Sequence, residues 1–394
     1  MLPLRLRRVL GHEGRLNDTL FQPAAERPHA ALQAQTLVYF GGDVQDYPEV
    51  MQAHRDNRNY LKWNLENTAR MLSHNFPNKH ILVVRPARIE YKSFSCYDNF
   101  VPSNNAGVPD HTPTHSALHH LERLLQGVSS RLKAMPTSEL LEALTSVSLP
   151  EEIDIEDLHN ASIHGVGQSK SNGSTKNDAA QASSAAGCEP DPDPLWWRDK
   201  LALDESRLTL VGFSKGCVVL NQIIYEDPDP LWWRDKLALD ESRLTLVGFS
   251  KGCVVLNQII YEFHYTHTLT PGDAHAVRFI SRIEDMFWLD GGHAGGKNTW
   301  ITSRSLLETL TRLNLNLYVH VSPYQVQDEA RPWIGREEKA FTSLLRKLGA
   351  KVHRYLHDQP GTPQSLAMHF EVLARFKQVQ NDASTAHDDD DDDM

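Results

Sequence analysis

The sequence predicts an α/β protein, a mostly parallel sheet with helices on both faces. Three observations predict it. Short apolar runs alternate with helix-length segments along most of the chain. The runs are apolar at nearly every position rather than at every second one, the pattern of strands covered on both faces. Two of them end in a glycine-flanked serine that leads directly into a helical pattern.

The elements follow in order. Residues 1–35 open with "MLPLRLRRVLGHEGRL", in which Arg5, Arg7, Arg8 and Arg15 stand among leucines and the first acid is Glu13. This stretch reads as poorly ordered, either a mitochondrial presequence or a plain basic N-terminus. It lacks the long apolar core of a secretory signal. Residues 36–146 read as the first part of the domain. Leu37 to Phe40 make a strand stopped by Gly41-Gly42, and Leu61, Leu65, Ala69 and Leu72 mark a helix. "HILVV" is a second strand, and "SALHHLERLLQGVSSRLKAM" a helix with Leu118, Leu121, Leu124 and Leu125 on one face. Residues 147–190 are rich in Ser, Gly, Asn, Ala and Asp without apolar periodicity, which predicts a disordered insertion. Residues 227–380 resume the alternation of strand and helix. Residues 381–394 carry the run Asp388 to Asp393, a solvated acidic tail.

The formal net charge is −11, and that tail supplies six of the negative charges, so the body is only mildly acidic. No nucleic-acid partner is expected. No run of 18 apolar residues exists, so no membrane span is expected. The four cysteines, Cys96, Cys188, Cys217 and Cys253, form no disulfide framework. Cys96 reads as a small buried apolar residue.

The chemistry is concentrated in "SRLTLVGFSKGCVVLNQIIYE". It fits strand, G-x-S-x-G turn, helix, which is the context of a nucleophile elbow. The glycines are needed because the serine sits on a strained turn. The helix N-terminus offers N–H groups where an oxyanion would develop. The stretch occurs twice, within identical segments 191–226 and 227–262. Identity over 36 residues is the mark of a recent duplication or of an error in the gene model. One sheet is expected to offer one elbow position. The first copy runs into Asp227-Pro228-Asp229-Pro230, which stops a helix, and follows the flexible insertion. The second continues into the next strand. Ser250 is therefore the expected nucleophile and 191–226 the displaced copy carrying Ser214.

A serine needs a base, and the base an acid to fix its tautomer. His369, after the last strand, is the expected base, with His293 as the fallback. Asp328 is the expected acid, because it follows the strand second after the elbow. Asp290, at the end of the next strand, is the alternative. The N–H groups of Gly42, Asp43 and Lys251 are the candidate oxyanion donors. Each has an ordinary alternative: a surface carboxylate, a helix-face histidine, a strand-ending turn. His111, His115, His119 and His120 cluster without a third ligand of fitting spacing, so no metal is expected, and no cofactor motif is present.

"FSCYDNF", "GFSKGCVVLNQ", "WLDGGH", "NTW" and "PYQVQDEARPWIGRE" together resemble the family of the mitochondrial protein encoded by open reading frame 69 of human chromosome 2. The resemblance covers roughly residues 36–126 and 240–375. It implies an α/β-hydrolase-like fold, location in mitochondria (the matrix expected, the cytoplasm the alternative) and a link to upkeep of the respiratory chain. In the shared motifs the elbow serine falls on Ser250 or its copy Ser214, the aspartates on Asp290 and Asp328, and the late histidine on His369. The expected activity is that of a serine hydrolase acting on a small acyl substrate, an ester, thioester or amide. The alternative is an inactive hydrolase fold that serves as a binding or regulatory partner of another protein.

Overall fold

The computed structural model describes residues 3–27, 34–104, 108–111, 115–145, 193–225, 243–269, 277, 280–292, 299–358 and 364–388. The insertion expected at 147–190, His293 and the acidic run beyond Asp388 lie outside them.

One nine-stranded sheet organises the chain. Its strands are β1 (Leu4–Leu10), β2 (Leu16–Gln22), β3 (Gln35–Phe40), β4 (His80–Val84), β7 (Arg207–Phe213), β8 (Leu244–Phe249), β9 (Ile283–Leu289), β10 (Asn316–Val321) and β11 (Lys351–Leu356). β5 (Arg88–Glu90) and β6 (Phe94–Cys96) form a separate hairpin. The order across the sheet is β1-β2-β4-β3-β7-β8-β9-β10-β11. β1 pairs antiparallel with β2, and β2 antiparallel with β4. From β4 onward every pairing is parallel.

The helices are α1 (Pro48–Gln52), α2 (Leu65–Asn75), α3 (Ala117–Ala134), α4 (Thr137–Thr145), α5 (Cys217–Tyr225), α6 (Gly252–Leu269), α7 (Arg304–Arg312), α8 (Pro323–Val326), α9 (Trp333–Lys347) and α10 (Leu366–Asp388). The chain divides into two units. One holds residues 1–2 and 136–196, with α4 as its described helix. The other, 3–135 and 197–394, contains the whole sheet. Alternate residues of each central strand serve opposite faces. Leu37, Tyr39, Val211, Phe213, Val247 and Phe249 join Leu65, Leu72, Phe370 and Phe376 in the core beneath α2 and α10. On the opposite face α3, α5, α6, α7 and α9 pack in succession.

Two expectations are corrected here. Leu4–Leu10 and Leu16–Gln22 are ordered strands, where a poorly ordered stretch was expected. Leu4, Leu6 and Val9 point inward and are nearly inaccessible, while Arg5 pairs with Glu49 and Glu66. Nor is the first copy displaced. β7 and β8 lie side by side in register, Gly212 opposite Gly248 and Phe213 opposite Phe249. Each brings its own helix, α5 and α6, to cover the same face. The sheet therefore widens by one strand. Trp197, in the first copy, is buried against Phe21 and His80.

Several buried histidines are held neutral. His80 Nδ1 accepts the Ala24 N–H at 3.2 Å. Burial lowers its pKa to about 4. His120 Nδ1 accepts the His12 N–H at 3.1 Å, and its other nitrogen bonds Asn17 at 2.8 Å. Its pKa falls to about 3, chiefly by burial. His320 and His357 share one hydrogen bond of 2.9 Å, which two imidazolium rings could not make. Burial lowers His357 to about 4 and also lowers His320 well below its ordinary value. In the unfolded chain these rings titrate near 6.5. Below that pH the unfolded state binds more protons, so stability is lost as pH falls from about 6.5 towards 4. The melting temperature is expected to drop steeply between pH 6.5 and 4.5 and to stay flat between 7 and 8. A flat profile through pH 5 would contradict this.

Candidate active site

Two elbows stand side by side at the carboxyl ends of β7 and β8. Ser214 has φ +48° and Ser250 φ +60°, left-handed values that cost a non-glycine residue about 1–3 kcal/mol. The glycines explain why the turns close. A Cβ on Gly248 would lie 2.6 Å from the Gly252 carbonyl oxygen. A Cβ on Gly212 would lie 2.3 Å from Cys217 Sγ.

The second elbow adjoins the end of β9. The Ser250 N–H donates to the Leu289 carbonyl at 2.9 Å. The next residue, Asp290, has φ +48° and is fully buried. Its Oδ1 accepts the Ser322 N–H at 2.7 Å. Its Oδ2 accepts the Ser322 hydroxyl at 2.7 Å and meets His369 Nδ1 at 2.7 Å. With both donors of Ser322 directed at the carboxylate, Nδ1 carries the proton and Nε2 is left as the basic nitrogen. The His369 ring stacks on Phe249, with centroids 4.6 Å apart, and Tyr324 lies 5.9 Å away. Phe249 immediately precedes Ser250, so the imidazole is fixed to the second elbow. No hydrogen bond joins either serine Oγ to His369 among the described residues. A serine-to-base bond in a resting site is commonly loose.

Asp328 is not the partner of His369. Its carboxylate accepts the Ala330 N–H at 2.8 Å and Arg331 Nε at 2.6 Å. The Arg331 hydrogen bond holds its pKa below the usual range. The acid beside the histidine is Asp290, reached from the strand next to the elbow. Ser322, which orients that acid, was missed in the sequence. Its only signal was a Ser-Pro pair closing an apolar strand.

The loop after β3 is built rigidly. Tyr97 donates its hydroxyl to the Gly41 carbonyl at 2.9 Å, and Ser95 its hydroxyl to the Gly42 carbonyl at 2.8 Å. The Gly42 N–H is already committed to Gln45 Oε1 at 2.9 Å. Gly42 is therefore corrected as an oxyanion donor, and Asp43 and Lys251 remain. The Asp43 carboxyl accepts the Ser95 N–H at 2.9 Å. Burial raises its pKa, opposed by that bond and by Lys215 and Lys251. The clustered histidines serve structure: His115 meets the Asp98 carbonyl and His111 meets Gln222. No group of ligand residues fit to hold a metal occurs among the described residues. No described helix is long and apolar enough to cross a membrane.

A mostly parallel sheet in this order, with a strained serine elbow and a buried pair of Asp after β9 and His after β11, is an α/β-hydrolase-like fold. The C2orf69 family model matches residues 5–230 and 233–351. The chain belongs to the C2orf69 family. It is 34% identical over 368 residues to the mouse mitochondrial protein C2orf69 homolog, covering 93% of this chain and 85% of the relative. It is 33% identical over 354 residues to human mitochondrial protein C2orf69, covering 90% and 77%. Among solved structures, a thermostable esterase is 8% identical, with a TM-score of 0.34, covering 98% of this chain and 62% of that one, less than two thirds of its length. Carboxylesterase Cest-2923 from Lactobacillus plantarum WCFS1 is 10% identical, with a TM-score of 0.31, covering 96% and 98%.

Proposed function

We propose that the protein is a serine hydrolase acting on an ester, thioester or amide of a small acyl group. Ser250 is the nucleophile, His369 the base, and Asp290 the acid that orients it. The observation that carries this reading is the buried His369–Asp290 pair stacked on the residue preceding a strained serine. His369 Nε2 takes the hydroxyl proton as Ser250 Oγ attacks the carbonyl, then returns it to the leaving group. The carboxylate stabilises the imidazolium formed between these steps. The Lys251 N–H, at the start of α6, supplies one hydrogen bond to the oxyanion. The relatives' names support placing this activity in mitochondria. The link to respiratory-chain upkeep follows from the family resemblance.

The test is labelling of the purified protein with a fluorophosphonate, an electrophile that reports an activated serine. Label on Ser250, lost in Ser250→Ala and retained in Ser214→Ala, is the expected result. A folded protein that takes no label would turn the reading to a hydrolase fold used for binding.

A further inference from the structure

The two copies of the elbow divide the catalytic apparatus between them. In this fold the second oxyanion donor comes from the loop after the strand beside the elbow strand. Here the backbone of that loop packs against the first elbow, while the Asp43 side chain also feels Lys251 of the second. A Cβ on Gly42 would lie 2.7 Å from the Phe213 ring, and one on Gly216 would lie 2.1 Å from the Phe40 carbonyl oxygen and 2.7 Å from that of Gly41. The corresponding glycine of the second elbow, Gly252, faces the first copy instead: its Cβ would lie 2.4 Å from Cys217 Sγ and 2.7 Å from the Gly212 oxygen. On the other side, the bond to Leu289, the Phe249–His369 stack and the contact of Gly291 with Cys253 all belong to the second elbow.

We infer that the added strand separates the nucleophile's base from its oxyanion loop, so that Ser214 adjoins the loop at Gly42–Asp43 and Ser250 adjoins His369–Asp290. The inference rests on the hydrolase reading above. One strand spacing is about 4.8 Å. A donor must lie about 2.7–3.1 Å from the developing oxyanion, so the displacement removes it altogether. The chain with both copies is then a slow hydrolase that lacks one oxyanion donor. Removing either identical segment leaves the same polypeptide, in which a single serine lies between the loop after β3 and the end of β9.

The experiment compares the full chain with this single-copy chain, both shown to unfold cooperatively on heating, for fluorophosphonate labelling rate and hydrolysis of a p-nitrophenyl acyl ester. Loss of one oxyanion donor typically costs about 10²–10³ in rate. The single-copy chain is expected to be at least about 10²-fold faster in both assays. A folded single-copy chain no faster than the full chain would overturn the split while leaving the hydrolase reading intact. If neither chain labels, the hydrolase reading fails, and the split with it. A crystal structure of the full chain phosphonylated on Ser250 tests the geometry without the deletion. The phosphonyl oxygen is expected beyond hydrogen-bonding reach of the Asp43 N–H, and a bond to that group would overturn the inference.

Discussion

Asp290→Asn is expected to lower hydrolysis by about 10⁴-fold, the size of effect that follows when a catalytic histidine is held in the wrong tautomer. The reason lies in the donor count around the carboxylate. Ser322 directs both its N–H and its hydroxyl at Asp290, and His369 Nδ1 approaches the same group. An amide has one accepting oxygen and one donating NH₂. Ser322 holds the oxygen, so the NH₂ turns to His369. Nδ1 must then accept, the proton moves to Nε2, and the ring no longer takes a proton from Ser250. Asp328→Asn removes only a local partner of Arg331 and is expected to stay within about threefold of the parent. The check is kcat/KM for an activated ester across pH 6–9. Loss of activity in Asp328→Asn with Asp290→Asn near normal would refute the assignment.

Removal of residues 1–22 is expected to abolish folding. The deletion takes Leu4, Leu6, Val9, Leu20 and Phe21 out of the core, each less than 6% exposed. At about 1.5–3 kcal/mol per side chain the loss is on the order of 10 kcal/mol, comparable with the whole stability of a typical domain. It also strips β2 from β4 and leaves a central apolar strand as an open edge, which invites aggregation. Soluble yield and thermal unfolding of the truncated chain measure this directly. A truncated chain that melts with the parent would show that the two strands are dispensable.

The local features of this protein were legible in its sequence. Apolar runs at nearly every position marked buried parallel strands, and G-x-S-x-G between a strand and a helix marked the elbow. The late histidine could be chosen because it follows the last strand. Even the first strand left a signal that its arginines obscured: Leu4 and Leu6 alternate with Arg5 and Arg7, the period of a half-buried strand. Three matters were decided only by the tertiary structure. Asp290 and Asp328 both follow strands, and the choice between them depends on which one meets a histidine far along the chain. The Gly42 N–H looked available until a side chain three residues on was seen to hold it. The flanks of the two segments argued for seating one and expelling the other, but the segments themselves are identical and equally able to form strand and helix. The sheet seats both because each strand carries its own covering helix, and a parallel sheet can lengthen by one strand wherever its faces stay covered.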